Sequence, residues 1–164
     1  MRCLKHFWLS RPSWRDALFV SASWGVTMPL CILADCFLWR HMLPLQALRI
    51  AVIFALGAAI AAPLALWGAK IIAHKNTRSA FAAMFFLLSI GTLGLTAVIF
   101  ALDFWSYFSQ WHGTIFSKLW ANQFFFTVAS AVYQFLVSGV RLYLPFGLIA
   151  LVVASMWASL RITR

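Results

Sequence analysis

Glutamate is absent from this chain, and its whole acidic complement is Asp16, Asp35 and Asp103. Charged residues of both signs make up only 10% of 164 positions, against 64% hydrophobic ones. A soluble domain needs charge to cover its surface, so this share excludes one. Cysteine is also scarce: Cys3, Cys31 and Cys36 are odd in number and form no CxxC, which argues against a disulfide framework and a zinc site. Five positions apart on a helix, Cys31 and Cys36 point to different faces and read as small apolar fillers. No GxSxG, HExxH or Walker pattern occurs, and no nucleophile stands at informative spacing from a base, so no enzyme is expected.

What the chain does have is long apolar sequence. Crossing about 30 Å of hydrocarbon takes about 20 helical residues, and five uncharged runs approach that length: 17–34, 50–69, 79–102, 119–140 and 142–160. Lipid leaves free backbone groups no partner, so all five should be helical. Only Arg141 separates the last two runs, too little chain for a helical hairpin between antiparallel spans. Within them Gln123, Thr127, Ser130, Gln134, Ser138 and Arg141 follow one another at spacings of three and four, one stripe at the helical period. Phe124, Phe125, Phe126 and Phe135 occupy other faces. Such a helix suits an interface or an intramembrane groove better than a lipid-facing span.

The expected fold is therefore all-α: a polytopic helical membrane protein forming a single bundle over 1–164. It has four transmembrane helices, at about 17–39, 50–72, 79–104 and 139–160. An outer-side amphipathic helix, at about 119–138, precedes the last span and leads into it through a bend near Pro145. The first apolar run is too long for a cleaved signal and has no small-residue cleavage site, so it reads as a retained anchor.

Basic residues orient the bundle. With the amino end inside, Arg2, Lys5, Arg11, Arg15, Lys70, Lys75, Arg78, Arg161 and Arg164 fall in cytoplasmic segments, while Arg40, Arg49 and Lys118 fall outside and Arg141 near the outer interface. Tryptophan, which prefers the headgroup level, agrees: Trp39 and Trp105 end spans one and three on the outer side, and Trp14, Trp67 and Trp157 stand at inner ends. Trp24 falls in mid-span, where it should pack. The expected location is a bacterial inner (plasma) membrane with both termini cytoplasmic. The net charge of +10 then serves topology and attraction to anionic lipid. No nucleic-acid partner is expected, because no basic face is visible.

Ionisable groups at membrane depth are functional candidates. Asp35 and Asp103 both fall near the outer ends of their spans, with Arg40, Arg49 and Arg141 within reach as partners. The sharper reading is a polar pocket for a headgroup, an ion or a partner helix; the blander one is carboxylates paired with arginines at the interface. The candidate contact residues are Asp35, Arg40, Asp103, Gln123, Thr127, Ser130, Gln134, Ser138 and Arg141. His6, His41, His74 and His112 all map outside the spans, so axial ligands for a haem are not in position and no cofactor is expected. Pro29 and Pro63 interrupt two spans but bring no charge with them, which weakens a transporter reading.

The expected function is binding. The chain reads as an accessory, assembly or protective subunit whose partners are the bilayer and another membrane protein. Small-residue lines at Ala58, Ala62, Ala65 and Ala69 and at Gly94, Ala97 and Ala101 offer helix contacts and would also allow a homo-oligomer. The short strings Ala17-Leu18-Phe19 and Pro29-Leu30-Cys31-Ile32 are similar to stretches of the immunity proteins against pore-forming colicins of the A type. That resemblance implies four spans with both ends inside, and contact with the toxin through the outer helix ends. An immunity protein is the first alternative and a small transporter subunit the second.

Overall fold

The computed structural model describes residues 12–73 and 76–162. Arg2, Lys5, Arg11, Lys75 and Arg164, which enter the orientation argument, lie outside the described residues, as do Cys3, His6 and His74. The described chain is all helix and loop. In order it forms α1 (Trp14–Leu38), α2 (Pro44–Ile72), α3 (Thr77–Phe108) with a 3-10 turn at Ser109–Trp111, α4 (Lys118–Tyr143) and α5 (Phe146–Ile162).

Local chemistry sets the starts of these helices. Ser13 accepts the Asp16 N–H at 3.1 Å and donates its hydroxyl to the Asp16 carboxylate at 2.8 Å, a reciprocal cap for α1. Pro44 sits in the first turn of α2, where its missing N–H leaves nothing unsatisfied. Asn76 caps α3 through the Arg78 N–H at 3.0 Å, and Ser117 caps α4 through the Trp120 N–H at 3.0 Å. Pro29 and Pro63 lie inside α1 and α2, and both helices continue through them.

Helices α1, α2 and α3 pack side by side, α2 in the middle. Small residues let them approach closely. Ala58, Ala62, Ala65 and Ala69 are all buried, and Ser21 of α1 donates to the Ala59 carbonyl at 2.6 Å. At the α2–α3 crossing Gly57 faces Thr96 so tightly that a Cβ there would lie 2.8 Å from the Thr96 nitrogen. The small-residue line expected on α3 is different: Gly94 faces open space, and the helix turns Met84, Leu88, Thr92 and Thr96 to the bundle. Gly57 meets the backbone at Thr96, which fixes that face of α3 inward. Trp24 is buried, as its mid-span position suggested, and its Nε1 donates to Thr92 Oγ1 at 2.9 Å.

Four helices are long and apolar enough to cross a membrane, and by helix length and hydropathy this is a multi-pass membrane protein. The fourth of them is not the expected one. It is Lys118–Tyr143, of 26 residues, which takes in the segment read as an amphipathic helix at 119–138. The expected last span at 139–160 is divided, its first residues completing α4 and the rest forming the 17-residue α5. Pro145 stands at the division, as the bend placed there anticipated, since it has no N–H to continue a helix. The sequence reading ended this helix at about 138, whereas it continues through a π-helical turn at Phe135–Gly139 to Tyr143.

Antiparallel order places the helix ends in two groups. One end of the bundle carries Asp35, Arg40, Arg49 and Asp103; the other carries Asp16, Lys70 and Arg161. Helix α5 runs back along α1, with Phe146 against Trp39 and Trp157 against Phe19 at ring-centroid separations of 5.2 and 5.7 Å. Helix α4 touches three other parts of the bundle. Its Phe124 packs on Trp105 of α3, its Phe135 on both Phe100 of α3 and Phe54 of α2, and the carbonyl of Arg141 accepts from Arg40 beyond α1 at 3.4 Å.

Candidate functional site: the paired-charge end and the polar edge of α4

Asp35 and Asp103 are each paired with an arginine. Asp35 is 1% exposed, and its Oδ2 lies 2.6 Å from Arg40 Nε. Helix α1 ends at Leu38, so the chain folds back at Trp39 and returns Arg40 to the last turn it has just left. A second Arg40 nitrogen reaches the Arg141 carbonyl, tying the α1 end to the end of α4. The other carboxylate oxygen of Asp35 has no hydrogen-bond partner among the described residues. Asp103 is bonded through both oxygens to Arg49 Nη2, at 2.8 and 3.0 Å, on the more exposed seam between α2 and α3. Arg141 pairs with neither carboxylate.

The polar line of α4 divides in two. Gln123 and Thr127 turn inward. Gln123 Oε1 accepts the Gly113 N–H at 2.9 Å, Thr127 Oγ1 bonds the Gln123 carbonyl at 2.7 Å, and the same hydroxyl lies 3.2 Å from His112 Nε2. Together they clasp the loop after α3. The buried face of α4 then passes through Ala131, Phe135 and Gly139, so Ser130, Gln134, Ser138 and Arg141 fall beside it and are exposed. Their side chains make no hydrogen bond within the described residues. On α1, by contrast, Ser21, Ser23 and Thr27 bond backbone carbonyls, while the buried hydroxyls of Thr96 and Ser155 have no partner among the described residues.

Phe135 sets the geometry of this edge. Its ring rests against Gly139, where a Cβ would come within 2.5 Å of it, and faces Phe54 and Phe100. The π turn widens the helix at this point. Between α2, α3 and α4 it leaves a cleft of about 340 Å³, lined by Phe54, Phe100, Arg40, Gln134 and Ser138. A neighbouring hollow of about 460 Å³ shares Gln134 and Phe100 and reaches Arg49, Asp103 and Gln46. Asp35, Arg40, Asp103, Gln134, Ser138 and Arg141 thus gather at one end of the bundle, while Gln123 and Thr127 engage the loop that follows α3. Sequence reasoning placed Phe135 off the polar face and passed over Gly139, since nothing in their apolar surroundings marks a π turn.

Among the described residues no three His, Cys, Asp or Glu side chains come together to hold a metal, and Cys31 and Cys36 are free. The arrangement offers hydrogen-bond donors and acceptors at the edge of an apolar wall. Comparison with protein families, curated proteins and solved structures finds no match to this chain.

Proposed function

We propose that this chain is a non-enzymatic membrane protein that works by binding another membrane protein, as an accessory, assembly or protective subunit. The contact is the exposed edge of α4. One observation carries the reading: Ser130, Gln134, Ser138 and Arg141 recur at helical spacing on an apolar helix and have no partner within the described chain. In lipid such groups gain by meeting a second helix, since hydrocarbon offers them nothing. The cleft beside Phe135 gives the partner an apolar recess next to that polar edge.

In this reading α1, α2, α3 and α5 cross a bacterial inner membrane with both termini in the cytoplasm, and α4 lies against the bundle on the outer side. Support comes from the excess of basic residues in the segments assigned inside. Further support comes from the contacts of α4, whose Phe124 and Arg141 both meet residues of the paired-charge end. A protective role would direct the same edge at an incoming toxin, the alternative suggested by two short strings similar to stretches of colicin immunity proteins.

The test is copurification of the full-length chain in mild detergent with a partner in fixed stoichiometry. Interhelical hydrogen bonds in membranes average about 0.6 kcal/mol each. Removing three with Ser130→Ala, Gln134→Ala and Ser138→Ala should weaken association about twentyfold, with Arg141→Leu tested separately. Undiminished recovery from correctly inserted variants would sink the proposal. Challenge with a pore-forming toxin separates a protective subunit from an assembly subunit.

A further inference from the structure

At the end of the bundle opposite the paired charges, α1 and α5 leave a trough between them. Its walls are two lines of small side chains at four-residue spacing, Ser23 and Thr27 on α1 facing Ala150, Ala154 and Ala158 on α5. Its floor is Trp24, Met84 and Leu88, buried side chains of the bundle. The volume is about 470 Å³. Although the α1 wall carries two hydroxyls, these are already satisfied: Ser23 donates to the Phe19 carbonyl at 2.7 Å and Thr27 to the Ser23 carbonyl at 2.8 Å. To an occupant the trough is therefore apolar throughout. From Phe19 to Thr27 it follows eight residues of helix, about 12 Å of depth.

The trough opens into a second hollow of about 320 Å³ that shares Phe19, Val20, Trp157 and Ala158 with it. Here the lining changes character. Lys70 and Arg161 stand at its rim, and Asp16 is the one acid, engaged by Ser13 in the helix cap. The Arg161 guanidinium lies over the Trp157 ring at 4.1 Å and near Phe19 at 5.6 Å. Stacking holds it at the mouth by its face and leaves its edge N–H groups free. Among the described residues neither Lys70 nor Arg161 has a carboxylate partner.

An apolar slot of helix-bundle depth under two cations has the chemistry of a site for an anionic amphiphile. We infer that the α1–α5 trough holds one anionic phospholipid, an acyl chain along Ser23, Thr27, Ala154 and Ala150 and its phosphate on Lys70 and Arg161. Charge complementarity selects this occupant over a zwitterionic lipid, because the mouth carries two cations against one capped acid. The site is independent of the edge of α4, which lies at the other end of the molecule.

The test is native mass spectrometry of the detergent-purified full chain after exposure to mixed vesicles of phosphatidylglycerol and phosphatidylcholine in equal amounts. One retained phosphatidylglycerol per chain is expected. Lys70→Gln with Arg161→Gln should lower its retention about tenfold or more, since each basic residue near anionic lipid contributes about 1 kcal/mol. Ala154→Leu should plug the trough and abolish retention with the cations still in place, and Thr27→Leu repeats that test from the facing wall should the first variant fold poorly. Equal retention of the two lipids, or full retention in a folded plug variant, would overturn the assignment. So would a dimer of the chain that the plugs convert to monomer, since a second copy would then occupy the trough.

Discussion

Arg40 Nε lies 2.6 Å from Oδ2 of an Asp35 that is itself 1% exposed, while the arginine keeps 37% of its surface. The pair is asymmetric. Removing the arginine strands a buried carboxylate, and breaking such a pair from one side costs about 4 kcal/mol. Arg40→Leu should therefore lower thermal stability in detergent sharply, and Asp35→Asn added to it should restore a large part. The exposed pair Arg49–Asp103 provides the contrast: Arg49→Ala should change stability by about 1 kcal/mol or less. Equal losses at Arg40 and Arg49 would show that Asp35 is hydrated rather than buried.

Gly57 and Gly94 both stand in helices, and their surroundings predict opposite outcomes. A Cβ at Gly57 would meet Thr96 Oγ1 at 2.2 Å and the Thr96 backbone at 2.8 Å, whereas one at Gly94 meets nothing within 4 Å. Gly57→Ala should force α2 and α3 apart and destabilise by about 1–3 kcal/mol. Gly94→Ala should leave stability unchanged or raise it by about 0.5 kcal/mol through the unfolded chain. Unfolding curves in one detergent decide both, and a neutral Gly57→Ala would mean the crossing is looser than described.

Trp24 and Thr92 form a buried hydrogen bond between α1 and α3 at 2.9 Å, across the face of α2. Trp24→Phe and Thr92→Val should each cost about 1 kcal/mol, near the upper part of what such bonds contribute in membranes. Their double variant should lose less than the sum. Strict additivity would indicate that the two side chains act separately.

Much of this architecture was legible in the sequence, for reasons that differ between elements. The three first spans follow from apolar length alone, and Trp24 stood out as a mid-span tryptophan that had to pack. Asp35 and Arg40 are near in sequence, so their pairing needed only a helix end between them. Asp103 and Arg49 are paired because α2 and α3 are neighbours, which no local pattern states. The trough was hidden for the same reason: Ser23, Thr27, Ala150 and Ala154 are unremarkable until α5 is laid against α1. Helix α4 was misjudged in extent because polar spacing reports a face, while the π turn at Phe135–Gly139 alters where that face points.

Orientation gives a fourth prediction. In a background free of native cysteines, a membrane-impermeant thiol reagent applied to intact cells should label Cys introduced at Gly113 or Ile115 but not at Asn76 or Ile162. The basis is the excess of basic residues beside the latter two positions. Labelling at Asn76 from outside would invert the topology and with it the side on which α4 is proposed to meet its partner.

The division of the α4 stripe makes the last prediction, because its two halves should fail differently. Gln123 and Thr127 are engaged with Gly113 and His112, so their loss acts within the molecule. Gln123→Leu with Thr127→Val removes the acceptor for a backbone N–H and the partner of a half-buried histidine. Since an unsatisfied group costs about 1–3 kcal/mol, stability should fall and the Gly113–Lys118 loop should exchange its amides faster. Partner recovery per folded molecule should be kept. Ser130→Ala, Gln134→Ala and Ser138→Ala break no bond within the described chain, so stability should hold while recovery falls. Thermal unfolding, hydrogen exchange and copurification on the same preparations separate the two. If both sets changed stability alone, the exposed residues would be serving the bundle or water, and α4 would be an anchor rather than a contact.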